Sequence, residues 1–304
     1  MSPVDGQRTV LFVGHTGRAD ALAAVHEAAE RFGAAGVAVR VLADEEPEMD
    51  LGPHAVVERS PGAAAGCEIV VVFGGDGTLL RAAEVARGTR TPLLGVNLGH
   101  VGFLAEAERD AVGSTVDRIV ACDYTVEERL TLDVTVTVDG EVVTRTWALN
   151  EASVEKASRE RMLEVVIEVD GRPLSRFGCD GVVLATPTGS TAYAFSAGGP
   201  VVWPEVAALL MVPISAHALF ARPLVVSPDS VLAVEVLPRT DGLGVLWCDG
   251  RRAVDLPTGA RIEGRRGAEP VILARLQQAP FTDRLVAKFD LPVLGWRGAR
   301  RAGS

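Results

Sequence analysis

The sequence is poor in three features: paired cysteines, long apolar runs and an excess of basic charge. The four cysteines, Cys67, Cys122, Cys179 and Cys248, are widely spaced and form no CxxC or CxxH pair. This spacing argues against a zinc site or a redox motif and fits reduced thiols that pack individually. Cys179 and Cys248 each precede an Asp-Gly pair, and we interpret both as packing residues.

No apolar stretch approaches the roughly 20 residues that a helix needs to span a bilayer. The first residues, MSPVDGQR, also lack the apolar region of a signal peptide. We therefore expect no membrane partner and a cytoplasmic location.

The net charge of −10 makes broad nucleic-acid binding unexpected, because that mode needs a basic surface that displaces counterions. An anionic ligand would have to be attracted locally. Backbone N–H groups, a bound metal and a few arginines can do this without a favourable overall field.

The first part of the chain alternates between two kinds of segment. β-rich runs at 10–13, 37–42, 69–73 and 92–96 are separated by helical stretches such as 19–32 and 79–87. This order predicts βαβ units and an open, mostly parallel, Rossmann-like sheet. With 304 residues, 48% of them hydrophobic, the chain is long enough for two domains.

After residue 127 the hydrophobic pattern changes to period two, at 132–138, 163–169 and 231–236. Asp-Gly pairs separate these runs and begin at Asp139, Asp170, Asp241 and Asp249. The pattern is typical of antiparallel strands joined by tight turns. We expect an α/β domain at 1–124 and a mostly antiparallel β-sandwich domain at 125–279.

The most informative segment is VVVFGGDGTLL, residues 70–80, in which an apolar run breaks at a Gly-Gly-Asp-Gly turn before a helix predicted to open at Thr78. Glycines allow positive φ and a close approach by a bulky anion, and a helix start favours negative charge. We expect phosphate here. Asp76 beside an anion is explained if it shares a divalent metal with the phosphate or accepts a proton from the attacking group. A simpler alternative is a tight turn in which Asp76 caps the helix.

Three further motifs accompany this turn: NLGHVGFLAE at 97–106, the pair Asn150 and Glu151, and DGVVLATPTGSTAYAFSAGGP at 180–200. With all four in this order, from about Val10 to about Trp296, the chain resembles the NAD kinase family. The resemblance implies that 280–304 returns to the first domain. It also implies transfer of a phosphoryl group from ATP, or also inorganic polyphosphate, to the 2′-hydroxyl of the adenosine ribose of NAD, giving NADP.

The resemblance assigns roles to matching residues. Asp76 would be the general base, with the backbone of Gly75 and Gly77 near phosphate, while Phe103 would lie close to the adenine. Asn150 and Glu151 would contact adenine and ribose. The remaining expected contacts belong to the long segment: Asp180 with the nicotinamide carboxamide, Thr188 and Thr191 with the adenine edge, and Ala192, Tyr193 and Ser196 with the substrate.

No cluster of carboxylates has the spacing of a metal cage, so we expect no dedicated metal ligands and a divalent cation, most simply Mg²⁺, that arrives with the donor. A homodimer or homotetramer is expected. The loop VGHTGR at 13–18 is not GxGxxG, and the roles of His15, Arg18 and His217 stay open.

Three other functions compete with this one. A lipid kinase or a phosphofructokinase-like sugar kinase also uses a GGDGT-type loop, but neither explains NLGHVGFLAE or TPTGSTAY. A non-catalytic NAD sensor would use the same pocket, but it gives no reason for a carboxylate that faces a phosphate.

Overall fold

The computed structural model describes residues 7–14, 17, 19–97, 102–105, 107–108, 112–158, 162–237, 244–276 and 280–293. The chain forms two compact units. The first contains Met1–Glu128 and Ile272–Ser304, and the second contains Arg129–Val271. The domain boundaries expected from the sequence, at residues 124 and 279, stay predictions. In the described part of the chain, every helix is too short or too polar to cross a membrane.

Helices and strands alternate along the first unit, whereas strands dominate the second. The first unit begins with β1 (Thr9–Gly14), α1 (Ala19–Ala34), β2 (Ala38–Leu42), α2 (Glu46–Met49), β3 (Ala55–Val57), β4 (Ile69–Phe73), α3 (Asp76–Ala86), β5 (Leu93–Asn97), β6 (Ala107–Glu108), α4 (Val112–Val120) and β7 (Thr125–Arg129). The second unit contains β8 (Leu132–Val138), β9 (Glu141–Ala148), β10 (Glu151–Lys156), β11 (Leu163–Val169), β12 (Arg172–Cys179), β13 (Gly181–Ala185), a 3-10 turn (Thr188–Thr191), α5 (Tyr193–Ser196), β14 (Leu209–Ile214), β15 (Leu224–Val226), β16 (Leu232–Val236), β17 (Gly244–Cys248), β18 (Arg252–Leu256) and β19 (Arg261–Arg266). The chain then adds β20 (Val271–Arg275) and α6 (Phe281–Phe289) to the first unit.

The sheet of the first unit has the order β3-β2-β1-β4-β5-β20-β7, with β6 paired to β5. The pairs from β3 to β5 are all parallel. The chain builds outward from β1 to β3 and then returns to place β4 on the other side of β1. The carboxyl ends of β1 and β4 therefore form a topological switch point, where open α/β sheets bind their ligands.

Close packing of apolar side chains holds this unit together. All five residues of β4 are buried, as expected for a central strand covered on both faces. Helix α1 buries one face, on which the residues Ala21, Ala24, Val25, Ala28 and Phe32 follow the helical period. Phe12 lies between Phe32 and Phe73, with ring centroids 5.8 and 5.0 Å away.

The second unit consists of two six-stranded antiparallel sheets, β15-β14-β13-β10-β17-β18 and β12-β11-β16-β19-β8-β9. Buried side chains from both sheets form one hydrophobic cluster, which makes the unit a β-sandwich. The Asp-Gly pairs at Asp139, Asp170 and Asp249 have positive φ at both residues, as hairpin turns require. Asp241 lies outside the described residues. The predicted fold class is confirmed.

Candidate active site

The glycine turn after β4 lies at the switch-point edge. Gly74 is buried, and a β-carbon there would overlap the side chain of Thr78, so this position excludes a side chain. Gly75 and Gly77 are exposed, and a β-carbon at either would meet no described atom within 4 Å. Neither residue uses the positive φ that glycine allows, because Gly75 is extended and Gly77 is helical. A ligand can therefore approach the backbone of both residues closely.

Helix α3 begins at Asp76, so the predicted start near Thr78 is wrong. The carbonyl of Gly75 already accepts hydrogen bonds from the N–H groups of Thr78 and Leu79, at 3.0 and 3.1 Å. Gly75 is therefore the N-cap, and no side chain caps this helix. The alternative of Asp76 as a simple helix cap fails for that reason.

The Asp76 carboxylate instead binds a separate segment. Its Oδ2 accepts the backbone N–H of Phe103 at 3.0 Å, and its Oδ1 accepts that of Leu104 at 3.1 Å. Because a carboxylate has about four lone-pair sites, these two bonds fix its orientation and leave capacity for another donor.

The segment that holds Asp76 is itself anchored. The ring of Phe103 packs against those of Phe281 and Phe289 of α6, with centroids 5.8 and 5.9 Å apart, and the side chain is only 7% exposed. Arg284 donates to the carbonyl of Phe103 at 3.3 Å, and Arg275 donates to that of Leu104 at 3.0 Å. An adenine contact for Phe103 stays a prediction.

A buried carboxylate at the end of β1 was missed by the sequence reasoning. Glu45 is 3% exposed, and its Oε2 accepts the N–H of Gly14 at 2.8 Å. Its Oε1 contacts Arg59 at 2.6 Å and Arg81 at 3.1 Å, and Arg81 also donates to the carbonyl of Gly14. The sequence holds no motif at Glu45 that distinguishes it from the other acidic residues nearby.

In the second unit, Asn150 and Glu151 lie at the start of β10 and are 8% and 7% exposed. The loop after β13 packs onto their backbone. Thr186 donates its N–H to the carbonyl of Asn150 at 2.9 Å and its hydroxyl to that of Leu149 at 2.6 Å. A β-carbon on Gly189 would overlap the carbonyl of Asn150, so this approach needs glycine.

The other predicted contacts of the long segment follow this loop. Thr188 is buried, and its carbonyl accepts a hydrogen bond from the Thr191 hydroxyl at 3.3 Å. Ala192 is half-buried and Ser196 is exposed. Tyr193 contacts β10 twice, since its N–H reaches Glu151 Oε2 at 3.4 Å and its hydroxyl reaches the carboxylate of Glu155 at 3.4 Å.

Asp180 is placed at the opposite end of β13 from this cluster. Six residue steps separate it from Thr186, which is roughly 20 Å of extended chain. Its carboxylate pairs with Lys156 Nζ at 2.5 Å, and a hydrogen bond from that ammonium lowers the pKa of Asp180. The backbone N–H of His217 bonds to the carbonyl of Gly178 nearby.

A second residue missed from the sequence is Asp249, in the turn between β17 and β18. Its carboxylate accepts the N–H groups of Leu149 and Asn150 at 3.0 and 2.7 Å and pairs with Arg252 at 2.8 Å. Burial, and then the charge of Asp249, raises the pKa of Glu151 to about 8. Burial also raises the pKa of Asp249, whereas its backbone N–H donors and Arg252 stabilise the anion and act in the opposite direction.

The structure thus brings the predicted residues together in two groups, one in each unit. Gly75, Asp76, Gly77 and Phe103 form the first group. Asn150, Glu151, Thr188, Thr191, Ala192 and Tyr193 form the second, with Ser196 following in α5 and Asp180 at the far end of β13. His15, Arg18 and residues 98–101 lie outside the described part of the chain.

Comparisons with known proteins agree along nearly the whole chain. Residues 10–124 match the family model of the ATP-NAD kinase N-terminal domain, and residues 149–276 match that of the ATP-NAD kinase C-terminal domain. The protein is 64% identical over 294 residues to NAD kinase 2 of Streptomyces coelicolor, covering 96% of this chain and 97% of that protein. It is 64% identical over 300 residues to the NAD kinase of Thermobifida fusca, covering 96% and 92%.

Two solved structures share the fold. Yeast NADH kinase complexed with NADH aligns with a TM-score of 0.86 at 23% identity, covering 95% of this chain and 89% of that one. An NAD kinase from Archaeoglobus fulgidus in complex with ATP aligns with a TM-score of 0.69 at 26% identity, covering 93% and 98%.

Proposed function

The chain belongs to the NAD kinase family, and we propose on this basis that it transfers the terminal phosphoryl group of ATP to the 2′-hydroxyl of the adenosine ribose of NAD. The chain is an NAD kinase enzyme, since relatives with 53–64% identity cover most of its length.

Asp76 is the proposed general base. This role rests on the two hydrogen bonds from the backbone N–H groups of Phe103 and Leu104, which fix the orientation of the carboxylate. The carboxylate lies in the glycine turn, next to the exposed backbone of Gly75 and Gly77. A fixed carboxylate with lone pairs to spare can accept the proton of a ribose hydroxyl as the oxygen attacks phosphorus. The backbone at Gly75 and Gly77, which no described side chain covers, supplies room for the donor phosphates.

The second group of residues is proposed to bind NAD. The buried Asn150 can satisfy a donor and an acceptor of adenine, and Glu151 beside it can bind ribose hydroxyls. Asp180 lies roughly 20 Å of extended chain away, a separation that suits the two ends of an extended dinucleotide. Tyr193 contacts Glu151 through its backbone N–H and Glu155 through its hydroxyl. It therefore lies along β10 between the proposed adenosine-binding residues and Asp180.

Dependence on a divalent cation, most simply Mg²⁺, is also proposed. Among the described residues, no three His, Cys, Asp or Glu side chains are grouped as a metal cage. The proposed cation is therefore carried by the donor phosphates, without a dedicated set of protein ligands. Such a cation neutralises charge on the phosphoryl group during transfer. Loss of turnover in excess chelator, restored by added Mg²⁺, is the expected result, and full turnover in chelator would contradict it.

We further propose that the active form is a homodimer or homotetramer assembled through the second unit. The loop between β14 and β15 exposes Leu219 completely and Phe220 by 55%, and Val225 of β15 is 52% exposed. Apolar side chains of this size in water favour association with a matching surface. The cytoplasmic location stays a prediction from the sequence.

The deciding experiment is a steady-state assay of NADP formation from NAD and ATP with Mg²⁺. NADP is the expected product, whereas phosphorylated lipid or sugar, or binding of NAD without turnover, would point to the competing functions. Replacing ATP by inorganic polyphosphate in the same assay decides the donor.

A further inference from the structure

The Asp-Gly turn at Asp249 makes contacts that a hairpin turn does not need. Besides the two N–H groups already described, Asp249 Oδ1 lies 3.4 Å from the N–H of Glu151. The backbone N–H of Asp249 in turn donates to the carbonyl of Glu151 at 2.9 Å. One side chain therefore accepts from three consecutive N–H groups, and two of these belong to the proposed adenosine-binding pair.

Arg252 fixes the carboxylate that makes these bonds. Its Nη2 contacts Asp249 Oδ2 at 2.8 Å and the carbonyl of Trp147 at 2.9 Å. The guanidinium lies over the Trp147 ring, 4.6 Å from the centroid, where a cation is attracted by the aromatic face. Asp249 is only 7% exposed, so its charge and its contacts are screened little by solvent.

We propose that Asp249 is a positioning residue of the nucleotide site, which holds the backbone of Asn150 and Glu151 and places a negative charge beside the Glu151 carboxyl group. This inference rests on the proposed function, because it assigns the site of Asn150 and Glu151 to NAD. Asp249 itself contacts backbone and Arg252 and has no assigned contact with substrate.

Burial raises the pKa of Glu151 most, and the negative charge of Asp249 raises it further. Asp249 faces Glu151 from the β17–β18 turn, Glu155 lies on its own strand, and Tyr193 approaches from α5. Arg252 is paired with Asp249 and stabilises that carboxylate as the anion. An uncharged Glu151 offers an O–H donor as well as a C=O acceptor, which matches a ribose hydroxyl. It also avoids a second negative charge beside an anionic dinucleotide.

The test compares two aspartates in equivalent turns. Asp170 also has positive φ before a glycine, and its carboxylate also accepts a backbone N–H of another strand segment, that of Val231 at 2.8 Å. It belongs to the other sheet, away from the predicted site residues. Asp170→Asn therefore reproduces the loss of a turn carboxylate and serves as the matched control for Asp249→Asn.

Kinetics are measured on the full chain from pH 6 to pH 9.5, with thermal midpoints for each variant. For the wild type, the KM for NAD should rise as the pH passes about 8, where Glu151 loses its proton. Asp249→Asn should raise the KM for NAD between roughly 5- and 100-fold at pH 7, because the amide keeps one oxygen of the two and at least one backbone N–H at residues 149–151 loses its acceptor. It should also move the inflection to lower pH and leave the KM for ATP unchanged. Asp170→Asn should change only the thermal midpoint.

An equal KM for NAD in the two variants, or an inflection that stays near pH 8 in Asp249→Asn, overturns the proposal. If Asp249→Asn does not fold, Glu151→Gln decides: a permanently uncharged amide should remove the inflection, and its persistence overturns the proposal. Absence of NADP formation by the wild type is a different outcome, because it refutes the proposed function itself.

Discussion

The carboxylate of Asp76 fills the space that a side chain at residue 102 would need. A β-carbon on Gly102 would overlap Asp76 Oδ1, and the next two residues donate their N–H groups to the same carboxylate. This close packing requires glycine at residue 102 and, at residue 76, a short side chain that accepts hydrogen bonds.

Gly102→Ala should displace the Asp76 carboxylate without removing it. We expect turnover to fall by roughly 10- to 100-fold, since a shift of about 1 Å in a reacting group has effects of this size. Gly33→Ala is the control, because no described atom lies within 4 Å of a β-carbon there and alanine favours the helix. Equal turnover in both variants would show that the position of Asp76 is unimportant.

Asp76→Asn removes the basic oxygen while conserving size. Turnover should fall by roughly 10²–10⁴-fold, with a much smaller change in NAD affinity. The amide can accept only one of the two N–H groups, so a lower thermal midpoint is also expected. Asp283→Asn, in the first turn of α6, controls for the loss of an acidic residue at a helix start. A rate partly restored by high Mg²⁺ would instead identify Asp76 as a metal ligand.

Glu151→Gln should change how stability depends on pH. The pKa of Glu151 is raised from 4.5 to about 8, so between these values the folded state binds more protons than the unfolded state. The stabilisation from neutral Glu151 is complete below pH 4.5 and is lost as the pH rises through about 8. The thermal midpoint of the wild type should therefore fall relative to Glu151→Gln from pH 5 to pH 8. Parallel curves would contradict the raised pKa.

Leu219→Ser combined with Phe220→Ser should shift the protein toward smaller species in sedimentation or light scattering. The two substitutions remove the exposed apolar surface whose burial is proposed to drive association of the second unit. Val56→Ser removes an apolar side chain that is 53% exposed in the first unit and should leave the assembly unchanged. A wild-type monomer that is fully active at the assay concentration would exclude an obligatory oligomer.

The sequence by itself determined the fold class and the family. The alternation of apolar runs with helical stretches defined a parallel sheet, and period-two runs with Asp-Gly pairs defined the antiparallel sandwich, because burial of one face imposes these periods locally. The four motifs likewise identified the family, whose model matches both parts of the chain. The start of α3 was misplaced by two or three residues, since the glycine turn conceals that Gly75 already accepts helical hydrogen bonds.

Only the tertiary structure decided which residues support the site. In the sequence, Asp249 begins one of the four Asp-Gly pairs that separate the period-two runs. No neighbouring residue distinguishes it from Asp170. Its role arises because the β17–β18 turn meets the backbone of residues 149–151, about a hundred positions earlier. Glu45 similarly gains its partners from three separate segments of the chain. Hydrogen bonds and charge interactions of this kind depend on which distant segments the fold places within about 3 Å, and no periodicity in the sequence encodes that distance.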